Sequence, residues 1–185
     1  MKKLLLTALL VSCCLGTLVR AQSVTYFLDY EGIPGSTTMV GFENKIEVLS
    51  YSSGVGRAIS TPTGASSNRE ASAPSVSELT VFIALDPKAN MELTKAAFIG
   101  NGKTVKLKGV RAVGDGPPQL FMEIEMTDTM IAALSQEGSN GNQVYINLSL
   151  NFTKVKYTTI PFNPQTGQPG QPQIFTYNLT TAVGS

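Results

Sequence analysis

The chain has 185 residues, 42% hydrophobic and 15% charged, with a formal net charge of +1. That fits one ordinary globular domain with enough chain to bury a sizeable core, and it excludes a disordered tract or a coiled coil. There is no histidine and no tryptophan, and the only two cysteines are Cys13 and Cys14. Ser-His-Asp triads, Cys-His pairs, histidine general bases and the usual zinc sites are therefore excluded.

The N-terminus reads as a targeting segment. Lys2 and Lys3 precede an apolar stretch, Leu4 to Val19, that is shorter than the ~20 residues of a spanning helix. Val19-Arg20-Ala21 then gives a small-residue cleavage pattern, so residues 1–21 are expected to be a secretory signal peptide and 22–185 the mature domain. A second route competes: Leu10-Val11-Ser12-Cys13 resembles a bacterial lipobox, in which Cys13 would be lipidated and the chain anchored as an outer-membrane lipoprotein. The first route sends the chain to the periplasm or outside the cell. Neither leaves a stable membrane span. Cleavage after Ala21 removes Lys2, Lys3 and Arg20 and lowers the formal charge from +1 to −2. A weakly acidic chain without clustered Lys and Arg is a poor partner for nucleic acid. It would also lack cysteine, so its core must hold without disulfides.

Residues 24–28 (VTYFL) form a β-branched, aromatic first strand, and Gly32-Ile33-Pro34-Gly35 a turn. Residues 45–52 read as one strand, with Ile46 and Val48 on one face and Glu47, Leu49 and Tyr51 on the other. Residues 52–77, rich in Ser, Gly, Ala, Thr and Pro, hold too few large apolar groups to bury and read as a long loop. A loop of that length has either mobility or a partner subunit as its reason. Residues 78–85 (ELTVFIAL) are a strand. The one convincing helix follows, started by Asp86-Pro87 and Asn90, with Met91, Lys95, Phe98 and Ile99 at helical spacing, and stopped by Gly100 and Gly102. Strands are predicted over 103–111, with Val105 and Leu107 inward; over 120–126, with Leu120, Met122, Ile124 and Met126 alternating; and over 130–134. A long alternating strand covers 144–157, and 174–179 closes the set. About eight short strands and one helix indicate a mainly β, small antiparallel barrel or sandwich with the helix on its side.

The chemistry is sparse. Glu123 and Glu125 share a strand face, about 7 Å apart by strand rise, and a carboxylate pair serves glycoside hydrolysis. The plainer reading is a solvated face opposite the apolar one. Asp86, Asp115 and Asp128 fall in turn or cap positions. Gly54-Val55-Gly56 lacks the third glycine of a dinucleotide loop, and Asn147, Asn151 and Asn178 match the N-glycosylation pattern by chance within predicted strands. No catalytic residue, cofactor or metal site is expected.

Several segments, in order, resemble the Hcp family, the hemolysin-coregulated tube proteins of bacterial type VI secretion. They are FLDYEGIPGS (27–36), KIEVLSYSSGVG (45–56), SELTVFIALDPKANMELTKAAFIGN (77–101), LSLNFTKVKYTTIPF (148–162) and FTYNLTTA (175–182). The resemblance implies a small β-barrel with one flanking helix and no catalytic residues. It implies a hexameric ring that stacks into a tube, and a lumen that carries effectors. The partners it implies are other copies of the chain, secreted effectors and components of the secretion machine. The family's extended loop after its second strand contributes to ring stacking; here it corresponds to residues 56–74, with Gly56, Arg57, Arg69 and Glu70 as candidate stacking residues. Tube subunits assemble in the cytoplasm and are not normally exported by a signal peptide. The leader therefore sets a second expectation, an exported binding module that keeps the fold without the injection role.

Overall fold

The computed structural model describes residues 23–60, 70–112 and 116–185. Strands are β1 (Val24–Tyr30), β2 (Ile46–Val48), β3 (Ser50–Ser52), β4 (Val55–Gly56), β5 (Ile59–Ser60), β6 (Glu70–Ala71), β7 (Ser75–Val76) and β8 (Leu79–Ala84). Helix α1 (Asn90–Ile99) follows, then β9 (Lys103–Arg111), β10 (Gln119–Glu137), β11 (Tyr145–Asn151), β12 (Lys154–Thr159), β13 (Gln173–Asn178) and β14 (Val183–Gly184). The protein is mainly β, with antiparallel ladders and one short helix among the described residues, as the sequence predicts. No helix among the described residues is long and apolar enough to cross a membrane.

Two sheets share strand β10. The first runs β2-β1-β9-β10-β12-β13-β14 and the second β10-β11-β8-β3, and the path is open rather than a closed barrel. β10 is 19 residues long. Its first half pairs with β9 and β12, and its second half with β11. It bends between the sheets at a register shift between Met126 and Thr129, where Asp128 takes a left-handed backbone (φ 53°). A bulge of this kind adds a residue to one strand and sharpens the local bend. The segments expected as separate strands at 120–126 and 130–134 are therefore one bent strand.

Two other expected strands are split where the chain changes sheet. Residues 45–52 divide at Leu49, so that β2 pairs with β1 and β3 pairs with β8. Residues 144–157 divide at Phe152 and Thr153, with β11 on β8 and β12 on β13. Two further strand features were not expected. β14 extends the sheet edge beyond 174–179, and the 52–77 loop is an arm of two short ladders, β4 with β7 and β5 with β6. These ladders pair backbone N–H and C=O groups in the described part of the arm, where Val55 and Ile59 stay exposed and Val76 packs partly against the core.

The core lies between the sheets. Leu28, Ile46, Val81, Ile83, Val105, Leu107, Met126, Ile146, Leu148 and Leu150 are buried there, and each large side chain contributes ~1.5–3 kcal/mol by leaving water. Tyr26 of β1 meets Tyr51 of β3 edge-on at 5.1 Å, and Tyr51 Oη donates to Met122 Sδ at 3.4 Å, tying the two sheets.

The segments quoted for the family resemblance meet one another in space. Gly32 holds the turn after β1 at φ 83°. At Gly35 a Cβ would stand 2.2 Å from the Lys45 carbonyl oxygen, so only glycine lets those backbones pass. Next to it, the Ser36 N–H and hydroxyl both donate to Asp86 Oδ2, at 2.8 and 2.9 Å, while Asp86 Oδ1 takes the N–H groups of Lys88 and Ala89. Of the expected turn or cap roles, Asp86 takes the turn: it accepts from the residues just ahead of the helix, whose N-cap is Ala89, and it anchors the turn after β1 to the helix entrance.

Candidate functional site

The residues named for stacking lie on the arm. Gly56 ends β4, exposed, with open space where a Cβ would project. Arg57 follows, and its Nε donates to the Ser72 carbonyl at 3.0 Å across the arm. Ala58 and Ser72 exchange two hydrogen bonds around that clip, the Ala58 N–H to Ser72 Oγ and the Ser72 N–H to the Ala58 carbonyl. Glu70 pairs with Ser60 through the β5–β6 ladder. Arg69 lies outside the described residues, as do Cys13, the Ala21 cleavage position and Asp115. The structure therefore brings Gly56, Arg57 and Glu70 onto one projecting hairpin, whose Val55 and Ile59 are exposed.

The carboxylates do not form an acid–base pair. Glu125 lies 2.9 Å from Lys106 and 3.6 Å from Lys156. The hydrogen bond from Lys106 holds its carboxyl below the usual range, and the same bond raises the Lys106 ammonium. Glu123 stands in register with Lys108. Asp29 lies 2.7 Å from Lys45 and 2.9 Å from Lys108. Partial burial pushes Asp29 up, but the hydrogen bonds from Lys45 and Lys108 together outweigh it and hold the carboxyl below its ordinary value. The face expected to be simply solvated is a half-buried row of alternating charge across β1, β9, β10 and β12. Its acids are already claimed by ammonium groups, so neither Asp29 nor Glu125 is poised to exchange a proton near neutral pH. Among the described residues, no three Asp, Glu, Cys or His stand together as a metal site would require.

The acceptor-like asparagines have structural places. Asn147 and Asn151 stand on β11. Asn178 closes β13, its Oδ1 accepting from the Thr180 N–H and hydroxyl at 2.9 and 2.6 Å.

Two surfaces were not anticipated. The helical stripe of Met91, Phe98 and Ile99 faces outward, with Phe98 84% exposed, while Ala89 and Leu93 are buried. Length and capping signals located the helix, but its apolar residues ring it on both sides, so periodicity did not select the buried face. The second surface is the β13–β14 edge, where Ile174, Phe175 and Val183 are exposed. Its sequence signal is plain: from Tyr157 to Ser185 there is no Asp, Glu, Lys or Arg.

The sequence has no match among the curated proteins compared. Among solved structures, it is similar to one described as a type six secretion system protein, at 19% identity and TM-score 0.80, covering 88% of this chain and 100% of that one. It is also similar to Hcp1 from Salmonella typhimurium (22% identity, TM-score 0.67, 88% of this chain and 99% of that one). A third is a type VI secretion system effector from Yersinia pestis (20% identity, TM-score 0.60, 83% and 98% of the two chains). These likenesses establish the fold. Residues 27–159 match the protein family described as "Type VI secretion system effector, Hcp". That span runs from β1 through β12 and takes in both sheets, the arm and the helix, so the chain belongs to the Hcp family of type VI secretion.

Proposed function

We propose that the chain is a non-enzymatic, ring-forming tube subunit of a type VI secretion system. It assembles as a hexamer whose lumen carries effectors and whose arm, through Arg57 and Arg69, contributes to stacking between rings. The observation that carries this reading is the family match over residues 27–159. The lysine-claimed carboxylates support the non-enzymatic part. Sedimentation or light scattering of the purified protein across a concentration series tests it. A mass near six subunits is expected, and a strict monomer at high concentration overturns the ring. Replacing Arg57 and Arg69 with alanine is expected to leave the ring mass unchanged and to shorten stacked assemblies seen by electron microscopy.

The leader-like N-terminus favours a second reading, an exported member of the family that acts as a binding module in the periplasm or outside the cell. N-terminal sequencing of the protein from the cell fraction where it accumulates separates the two. A start at Gln22 or a lipidated Cys13 supports export, and an intact Met1 supports cytoplasmic tube assembly. If deleting residues 56–74 abolished ligand capture and left assembly unchanged, the binding module would gain.

A further inference from the structure

We infer that the cavity between helix α1 and the turn after β1 is a binding site for a small zwitterion, of the class of a free amino acid with an apolar side chain. The cavity is formed within one subunit, and the site goes beyond the tube reading, which gives the chain no small-molecule ligand.

The cavity measures about 280 Å³. That is just under the ~300–1,000 Å³ that holds a drug-sized ligand, so its occupant is smaller. Tyr30 and Ile33 line it from the core side, both buried. Tyr30 is only 4% exposed, and its hydroxyl makes no hydrogen bond among the described residues. Burial alone acts on that hydroxyl and pushes its pKa up. A tyrosine buried this far ordinarily finds a partner for its O–H. A ligand carboxylate in the cavity is such a partner, because it accepts what the hydroxyl donates.

The charges at the rim select the ligand's class. The sheet side carries Glu31 and Lys103, and the helix side Glu92 and Lys95, one carboxylate and one ammonium on each. The Thr104 N–H donates to Glu31 Oε2 at 2.9 Å and fixes that carboxylate in place. Glu92 and Lys95 stand 3.9 Å apart, a loose pair that leaves both free to bond a ligand. The C-terminal end of α1 has no basic side chain in its last turn, so its carbonyls keep a partial negative charge that favours an ammonium group. An ion of one sign meets as many like charges here as opposite ones, whereas a ligand bearing one of each pairs with both. A neutral sugar lacks the ring face on which it usually stacks, because the only aromatic residue lining the cavity is the buried Tyr30. Ala96 and Ile99 add apolar contact for a hydrocarbon side chain.

Isothermal titration calorimetry of the full chain tests the site, with L-valine and L-leucine as probes. Saturable binding is expected. N-acetyl-L-leucine, which lacks the ammonium, and L-leucinamide, which lacks the carboxylate, are each expected to bind at least roughly tenfold more weakly than L-leucine. No saturable heat with either amino acid overturns the site. Equal affinity for either derivative, or tighter binding of glucose, overturns the zwitterion class. Tyr30→Phe keeps the buried ring and removes the hydroxyl, and Glu31→Gln keeps an acceptor for the Thr104 N–H and removes the charge. Both are expected to weaken L-leucine binding roughly tenfold. Lys95→Gln, at a side chain 62% exposed on the helix, is expected to do the same with the melting temperature unchanged. Unchanged affinity in Tyr30→Phe and Lys95→Gln would place the binding elsewhere and overturn the assignment.

Discussion

Strands β1, β9, β10 and β12 and strands β13 and β14 belong to one sheet, yet their outward surfaces are opposites. The first group carries Asp29, Lys106, Lys108, Glu125 and Lys156, arranged so that each acid lies against two ammonium groups. The second carries no charge and leaves Ile174 and Val183 in water. The charged half satisfies itself inside one subunit. Among the described residues, nothing covers Ile174 or Val183 of the uncharged half. A surface of paired charges and a surface of exposed, uncharged side chains are thus set side by side on one sheet, and each can be disturbed separately.

The largest expected effect comes from beneath the charged half. Leu107 is fully buried on β9, between the outward Lys106 and Lys108. Leu107→Ala is expected to cost about 3 kcal/mol in denaturant unfolding, through lost burial and a residual cavity. The ion row above it contributes less, because half-exposed pairs give up hydration for each contact. Asp29→Asn is expected to cost about 1–2 kcal/mol, losing two lysine partners at once. If Asp29→Asn proved as damaging as Leu107→Ala, the row would be holding the sheet rather than decorating it.

The row also sets a pH dependence. Asp29 and Glu125 both have carboxyls held below their ordinary values in the folded state. Groups shifted this way contribute their full stability above the unfolded carboxylate range and lose it as pH falls through the lower folded values. Thermal unfolding followed from pH 6 down to pH 2 is expected to show stability falling below about pH 5. In a chain carrying both Asp29→Asn and Glu125→Gln the fall should be shallower. An identical slope in the two proteins would mean that other carboxylates control the acid transition.

Much of this architecture was legible in the sequence, and what was missed has a common physical cause. Alternation correctly placed Ile46 and Val48, Ile124 and Met126, and Ile146, Leu148 and Leu150 in the core. Each run then changes parity. The inward positions pass from Val48 to Tyr51, from Met126 to Ile131 and from Leu150 and Phe152 to Val155. A strand shows opposite faces with period two, so a parity change means an added residue or a break. At all three places the chain moves from one sheet to the other. The signal was present, but it was absorbed into single long strands. The arm was misread as a loop because its pairing is carried by backbone groups, to which side-chain hydrophobicity is blind. Gly56 and Arg57 lie on that arm, and the outward stripe of α1 carries no clear signal in the sequence. A ten-residue helix with apolar groups on several sides gives no single face to bury.

The smallest expected effect on folding falls on the uncharged half, and it is the most discriminating. Ile174 and Val183 contribute little to the monomer's core, since more than half of each side chain's surface is already in water. Changing both to lysine gives the edge the protection it lacks. The unfolding free energy of the isolated subunit is expected to stay within about 0.5 kcal/mol of the original. Equilibrium unfolding at low protein concentration measures that, and sedimentation at high concentration measures assembly on the same sample. Unchanged folding with lost assembly would mean that the edge is shaped for another chain. A comparable loss of folding stability would place it instead in the subunit's own core, and the division of the sheet into a finished half and an unfinished half would fail.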